Sequence, residues 1–287
     1  MCYQIITDSC CDLTEQMCQT LDVICVPLTV TYNEEDHNNF SDEAEVKTFY
    51  DLLRSGVTAT TAAVNPDAWA SAMTPALEAG KDVLVMTFSS GLSTTYQSAV
   101  IAAKELREEF PERKIHVVDT LAAALGQGLL VWYACRKRDE GLSLDELTAW
   151  VEENKLHLAH WVTVDDLTHL KRGGRISATT ALVGTMLNIK PIIHVDNDGH
   201  LISVAKARGR KAAMQYIAEK LGTLGEGFDN ETVFIAHGDC PEDAGQLARL
   251  VKEQYGVKNV HIGYVGPVIG AHTGPGVLVV FFMGKAR

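Results

Sequence analysis

Apolar segments of strand length alternate with amphipathic segments through the first half of the chain. The clearest pair is an apolar run at 83–88, followed at 96–110 by apolar residues with helical spacing. Further apolar runs of this kind occur at 3–7, 23–31 and 114–118. Strands that alternate with helices predict a parallel sheet covered on both faces. We therefore predict an α/β fold whose first domain, 1–158, is Rossmann-like, with a small polar insert near 32–42.

The pattern changes in the second half of the chain. Apolar segments at 191–195 and 200–204 flank Asp196-Asn197-Asp198-Gly199, a sequence typical of a tight β-hairpin turn. An antiparallel hairpin does not belong to a continuous parallel sheet, so it indicates a second domain of mixed α/β type over 159–287. A helix is also predicted at 177–187.

A loop rich in hydroxyl groups joins the 83–88 strand to its helix. Five of the seven residues in Ser89-Ser90-Gly91-Leu92-Ser93-Thr94-Thr95 carry a hydroxyl. Backbone N–H groups and the positive end of the helix dipole point into such a loop, which favours an anion. One hydroxyl, from Ser93 or Thr94, is enough to cap the helix. The excess predicts an anion or polar head group at Ser89-Ser90.

Composition excludes several classes of function. The chain carries 25 basic and 37 acidic side chains, a net charge of −12, which argues against non-specific nucleic-acid binding and against electrostatic adhesion to anionic membranes. No apolar stretch reaches the roughly 20 residues of a membrane span, and the first residues do not resemble a signal peptide. Seven cysteines without a CxxC pair indicate a reducing compartment. We therefore predict a cytoplasmic protein.

A second candidate lies in the glycine-rich segment 266–276, where four glycines and two prolines surround His272. Glycines permit close approach of backbone to a ligand, which makes this histidine a candidate for function rather than packing. Ser89 or Ser90 as nucleophile, His272 as base and Asp8 or Asp119 as orienting group would have the residue types of a hydrolase triad. The local sequence FSSGL, however, is not the GxSxG elbow. Motifs for nucleotides are absent, and His157 and His160 lack a third metal ligand nearby.

Several short motifs run in a fixed order along the whole chain. They are Ile5-Ile6-Thr7-Asp8-Ser9, Thr60-Thr61, Ser89-Ser90-Gly91-Leu92-Ser93, Val118-Asp119, Leu170-Lys171-Arg172-Gly173-Gly174-Arg175-Ile176, Lys190-Pro191-Ile192, Gly199 with 206–211, and the segment 266–276. In this order they resemble the DegV family, bacterial fatty-acid-binding proteins that include the binding subunit of fatty acid kinase. The chain differs from the family pattern at Ala62-Ala63-Val64 and at Thr94.

The resemblance implies two α/β domains with one long-chain fatty acid held between them. It implies that the carboxylate is bound by Thr60, Ser89, Ser90 and His272, and that Arg175 docks a kinase. The expected protein is a non-catalytic carrier without metal or cofactor. Its partner would be an ATP-dependent fatty acid kinase subunit in phospholipid metabolism, and its contact with membranes at most transient. Since Arg175 follows two glycines in a basic turn, we expect its side chain to point into solvent. An acyl hydrolase and a lipid-sensing regulator are the alternatives.

Overall fold

The computed structural model describes residues 3–38, 42–176 and 188–287. Its strands, in chain order, are β1 (Tyr3–Asp8), β2 (Val23–Val26), β3 (Thr29–Tyr32), β4 (Glu35–His37), β5 (Thr60–Ala62), β6 (Asp82–Thr87), β7 (Ile115–Asp119), β8 (Leu158–Thr163), β9 (Ile189–Val195), β10 (Leu201–Arg208), β11 (Thr232–His237), β12 (Asn259–Tyr264) and β13 (Leu278–Met283). The helices are α1 (Glu15–Thr20), α2 (Glu43–Arg54), α3 (Pro66–Glu78), α4 (Thr95–Glu109), α5 (Ala124–Asp139), α6 (Leu144–Asn154), α7 (Thr168–Arg172), α8 (Arg210–Leu224), α9 (Pro241–Tyr255) and α10 (Pro267–Thr273). The predicted helix at 177–187 lies outside the described residues.

The first sheet is parallel, with strand order β2-β1-β6-β7. The carboxyl ends of its strands lie at the same edge of the sheet. There the Asp8 side chain connects the loop after β1 to the loop after β6. The Asp8 carboxylate accepts the backbone N–H groups of Cys10 (3.0 Å) and Phe88 (2.7 Å). Burial raises the pKa of Asp8 to about 7 despite these bonds. The side chain therefore fixes the loop that carries Ser89 and Ser90.

The second sheet is mixed, with strand order β10-β9-β8-β13-β11-β12. Only β11 and β12 pair in parallel among these six strands of the described chain; the other neighbours are antiparallel. The predicted hairpin is confirmed as β9–β10, with Val195 opposite Leu201. A parallel first sheet and a mixed second sheet confirm the predicted fold class.

The segment predicted as one strand at 23–31 is instead two strands in different sheets. β2 ends before Pro27, and β3 joins a small antiparallel sheet of order β4-β3-β5. Proline has no N–H to continue a ladder, which interrupts the strand. The next N–H, that of Leu28, is donated to Ser9 Oγ (2.9 Å) instead of to a strand. The predicted polar insert therefore contributes β4 to a sheet of its own.

Helix α5 packs between the two large sheets. Its first half is buried, and Leu125, Leu129 and Leu130 belong to a hydrophobic cluster that also contains Ile5 of β1 and Phe281 of β13. The first half of α5, which is almost entirely apolar, is suited to such an enclosed position. Strand β7 belongs to the first sheet and β8 to the second, which agrees with a change near 158/159. The hydrophobic cluster around α5, however, contains residues of both sheets, so the division into two domains at 158/159 stays a prediction. In the described part of the chain, no helix has both the length and the apolar character needed to cross a membrane.

Candidate functional site

A cavity of about 400 Å³ lies between the loops of the first sheet, helix α10 and the inner face of the second sheet. Small-molecule sites in proteins enclose roughly 300–1,000 Å³ and are mostly apolar with a few polar groups. The wall here follows that composition, with leucine, valine, isoleucine, alanine and phenylalanine side chains in the majority. The volume and composition fit a small apolar ligand.

The second sheet gives the cavity an elongated wall. Every second residue along β13 faces the cavity, beginning with Val277 just before the strand and continuing with Val279 and Phe281. On β8, the cavity is faced by Val162 and His160. Because a strand rises about 3.3 Å per residue, the wall runs roughly 13 Å from Val277 to Phe281. The cavity is therefore longer than an ordinary side chain and suits an extended apolar group.

Polar groups gather where α10 meets the loop after α7. His272 Nε2 lies 2.8 Å from Thr61 Oγ1. Arg175 lies on the same wall, where its Nε donates to Leu92 O (3.3 Å) and its Nη1 to Gly173 O (2.6 Å). Gly173 packs so tightly on the His272 imidazole that a Cβ at this position would overlap Nδ1. Glycine is therefore needed at position 173 to bring the imidazole and the guanidinium onto one wall.

The charges at this end favour an anion. Burial, together with the positive charges of Arg175 and Arg172, lowers the pKa of His272 to about 4, so the imidazole is neutral at neutral pH. Arginine stays protonated in proteins. Within the described ranges, the half-buried Arg175 makes hydrogen bonds to carbonyl groups and no salt bridge. A half-buried cation without a carboxylate partner is an electrostatic complement for an incoming anion.

Two of the predicted head-group residues lie elsewhere. Thr60 is exposed and outside the cavity wall, whereas Thr61 lies on it, because side chains alternate between the two faces of β5. Ser89 is fully buried behind the wall, where its Oγ donates to Gly199 O (2.8 Å). Ser90 lies on the wall, as does His272. The prediction that Arg175 points into solvent was wrong, since its side chain lies along the cavity.

Three other polar wall residues were not predicted as head-group ligands, although Ser93 and Thr94 were considered as helix caps and Thr94 as a departure from the family pattern. Ser93, Thr94 and Gln97 line the cavity next to Ser90. Ser93 Oγ lies 2.8 Å from Thr95 Oγ1 and accepts the Thr95 N–H, while Thr94 makes no side-chain cap. The signal for Ser93 was present, since it belongs to the hydroxyl-rich loop, but that loop alone did not show which hydroxyls face inward. Gln97 gave no signal because it resembles any exposed polar residue of an amphipathic helix.

The residues of the alternative triad do not assemble. His272 contacts Thr61 rather than either serine. Asp8 accepts the backbone bonds already described, and Asp119 Oδ1 accepts the N–H groups of Ser90 and Leu121, both at 3.1 Å. A triad needs the base within hydrogen-bonding distance of both the nucleophile and the orienting carboxylate. The geometry therefore does not support the hydrolase alternative.

A comparison with protein families matches nearly the whole chain to one of them. The family, described as "Uncharacterised protein, DegV family", covers residues 3–285. The chain belongs to the DegV family. A DegV domain-containing protein of Clostridium perfringens is 44% identical over 286 residues, covering 99% of this chain and 98% of the relative. Another from Lactococcus lactis is 37% identical over 287 residues, with 99% of each chain covered.

Solved DegV structures share the fold over their full length. A DegV family protein from Thermus thermophilus, described by its fatty acid binding, is 31% identical with a TM-score of 0.88, covering 99% of this chain and 100% of that one. A DegV lipid-binding protein from Thermotoga maritima is 27% identical with a TM-score of 0.86, and both chains are covered completely. A fatty-acid-binding DegV from Bacillus subtilis is 28% identical with a TM-score of 0.82, covering 99% and 100%. The Thermus thermophilus and Bacillus subtilis proteins are thus fatty-acid-binding proteins, and the Thermotoga maritima protein is a lipid-binding one.

Proposed function

We propose that this chain binds one long-chain fatty acid in the cavity, with the carboxylate at Thr61, Arg175 and His272. The observation that carries the proposal is a long apolar wall that ends in a guanidinium beside a neutral imidazole. Among the described residues, this guanidinium has no carboxylate partner. A fatty acid has the matching arrangement of a long apolar chain and one terminal anion. Fatty acid binding by two solved relatives and lipid binding by a third support the same ligand class.

The two ends of the ligand would contribute differently to binding. Burial of each methylene stabilises the complex by roughly 0.8 kcal/mol, so about ten methylenes give roughly 8 kcal/mol before association costs. The apolar wall therefore accounts for most of the affinity. Hydrogen bonds from Thr61, Arg175 and His272 add less affinity, but they fix which end of the acyl chain enters the cavity first.

The proposal extends to a carrier role. The fatty acid would be presented to a separate ATP-dependent kinase subunit, which phosphorylates the carboxylate. The carboxylate end lies next to α7, whose last residues Lys171 and Arg172 are exposed. On a chain of net charge −12, this basic group is a local feature that an acidic partner surface can recognise. It supports docking of a kinase at the carboxylate end rather than at the opposite end.

The ligand is tested by extraction and by a matched pair of ligands. Purified protein is denatured and extracted, and mass spectrometry is expected to detect one fatty acid per chain. Binding is then measured for a fatty acid and for its methyl ester. His272→Ala should weaken binding of the acid by roughly 1–3 kcal/mol, the range for a hydrogen bond to a charged group. Binding of the ester should change much less because the ester carries no charge.

A result of equal losses for acid and ester would place the carboxylate elsewhere. The absence of fatty acid from protein expressed in lipid-replete cells would contradict the proposed function itself. Thermal melting of His272→Ala serves as the folding control, so that a loss of affinity is not confused with a loss of structure.

The carrier role is tested by charge reversal at two exposed lysines. Lys171→Glu should leave fatty acid binding unchanged and lower acyl-phosphate formation in the presence of the kinase subunit. Lys252→Glu makes the same charge change on α9 and should leave both unchanged. Arg175→Ala should lower both binding and phosphorylation, since its side chain lies on the cavity wall. Equal phosphorylation by the two lysine variants would rule out docking at α7.

A further inference from the structure

The cavity ends at a pair of side chains that face each other across β8 and β13. His160 and Phe281 are directly opposite in the strand register, and both lie on the cavity wall. The next pair with the same orientation is Leu158 and Met283, which is buried but is not part of the wall. Within the described residues, the wall along β8 and β13 therefore stops at His160 and Phe281, and at this level it continues sideways to Val195 and Leu201.

This pair lies at the opposite end of the β8–β13 wall from His272. Val277, at the start of the wall, follows α10, the helix that carries His272. Val279 comes next and pairs with Val162, which in turn pairs with Ile193. Phe281 and His160 come last, so the register itself orders the wall from the carboxylate end to the closed end. An acyl chain lying along the wall meets His160 with its terminal methyl group.

The imidazole of His160 is held as part of the wall rather than as a binding group. Its Nε2 accepts the N–H of Ala123 (3.2 Å), which leaves Nδ1 as the protonated nitrogen, 3.1 Å from Leu158 O. Both nitrogens are thereby used, and the residue is 1% exposed. The ring meets Phe281 edge to face, with centroids 5.2 Å apart. The imidazole has no free hydrogen-bonding group to offer a ligand.

Helix α5 prevents this ring from moving back. Gly126 lies behind His160, and a Cβ at this position would overlap the imidazole Nε2 and lie 2.7 Å from Phe281 Cδ1. A ring that is hydrogen-bonded on both nitrogens and packed on a helix backbone cannot rotate to admit a longer ligand without breaking those bonds. The end of the cavity is therefore rigid.

We infer that His160, supported by Gly126 and paired with Phe281, sets the longest acyl chain that this protein admits. The inference rests on the proposed function, since it assigns the tail end of the same ligand. Up to the limit, each added methylene is buried and strengthens binding; beyond it, the added methylene meets the imidazole. Burial of one methylene corresponds to about a fourfold change in Kd. The wild-type affinity series should thus rise with chain length and then stop rising at a fixed length.

Two substitutions move this limit in opposite directions. His160→Ala removes the ring and should tighten binding of acids beyond the wild-type limit by about fourfold per methylene accommodated. Gly126→Ala pushes the imidazole into the cavity and should shorten the preferred chain by at least one methylene. Ile262→Ala, at an exposed position on β12, is the control and should keep the wild-type series. The measurements are Kd for saturated acids of increasing length and the masses of the acids that copurify.

The outcomes separate this inference from the proposed function. If neither the wild type nor any variant binds fatty acid, the proposed function fails. If all variants bind fatty acid and folded His160→Ala keeps the wild-type length limit, the inference is overturned. If His160→Ala does not fold, Phe281→Leu enlarges the same end and should also extend the limit. A Gly126→Ala protein that melts cooperatively and keeps the wild-type preference would equally contradict the inference.

Discussion

The two ends of the cavity each carry a histidine, and the hydrogen bonds of the two rings differ. At the closed end, both nitrogens of His160 bond to backbone groups of Ala123 and Leu158. At the polar end, His272 bonds to a side-chain hydroxyl, that of Thr61, beside the guanidinium of Arg175. The first histidine is a fixed part of the wall, and the second has a partner that can exchange for a ligand oxygen. Hydrogen-bond partners, rather than residue type, separate a packing histidine from a binding one.

Electrostatics separates the two ends in the same way. Burial, with a smaller contribution from the charge of Arg287, lowers the pKa of His160 to about 3. The pKa of His272 is lowered to about 4, by burial and by two nearby arginines. Both rings are neutral at pH 7, and each has an arginine nearby. Arg175, beside His272, lies on the cavity wall, whereas Arg287, near His160, does not. An incoming carboxylate would meet a cation on the cavity wall at the His272 end, whereas none of the described wall residues at the His160 end carries a positive charge.

The largest expected effect concerns the His160 end and is the response of stability to acid. The pKa of His160 is about 3 in the folded protein and about 6.5 when unfolded, so the unfolded chain binds the extra proton. Its contribution to stability is complete above pH 6.5 and is lost as the pH falls toward 3. From pH 7 to pH 5, we expect His160 to lower the free energy of unfolding by about 2 kcal/mol relative to a His160→Leu variant.

The buried carboxyl group of Asp8 makes this comparison with a variant necessary. Its folded pKa of about 7 lies above the unfolded value, so its contribution to stability is present at low pH and is lost as the pH rises toward 7. The two groups therefore oppose each other over the same range. Denaturant unfolding at several pH values gives the free energy of unfolding of wild type and of His160→Leu as a function of pH. The difference between the two proteins at each pH should report His160 alone, because Asp8 contributes equally to both. If the difference in free energy of unfolding between the two proteins did not change with pH, His160 would have the same pKa in the folded and the unfolded state.

The fold was more predictable from sequence than the site. The alternation of apolar segments and the turn Asp196-Asn197-Asp198-Gly199 predicted both kinds of sheet, because periodicity and turn chemistry act locally. The division of 23–31 was missed, although Pro27 was the signal, because the run around it is almost entirely apolar. Which of two adjacent hydroxyls faces a cavity depends on strand register, and a sequence pair such as Thr60-Thr61 does not contain that information. The position of Arg175 likewise depends on a contact with Leu92, 83 residues away.

The smallest effect concerns the hydrogen bond that distinguishes His272 from His160. Thr61→Val keeps the shape of the side chain and removes the hydroxyl next to Nε2. If Thr61 also binds the carboxylate, the affinity for fatty acid should fall by about 1 kcal/mol, the value for one neutral hydrogen bond. Thr60→Val makes the same chemical change on the outer face of β5 and should alter affinity by less than about 0.5 kcal/mol. Equal losses of affinity for the two variants would mean that the change acts through β5 as a whole.

A loss of affinity with Thr60→Val alone would restore Thr60, rather than Thr61, as the carboxylate ligand. Calorimetry on both variants with one fatty acid measures the difference directly.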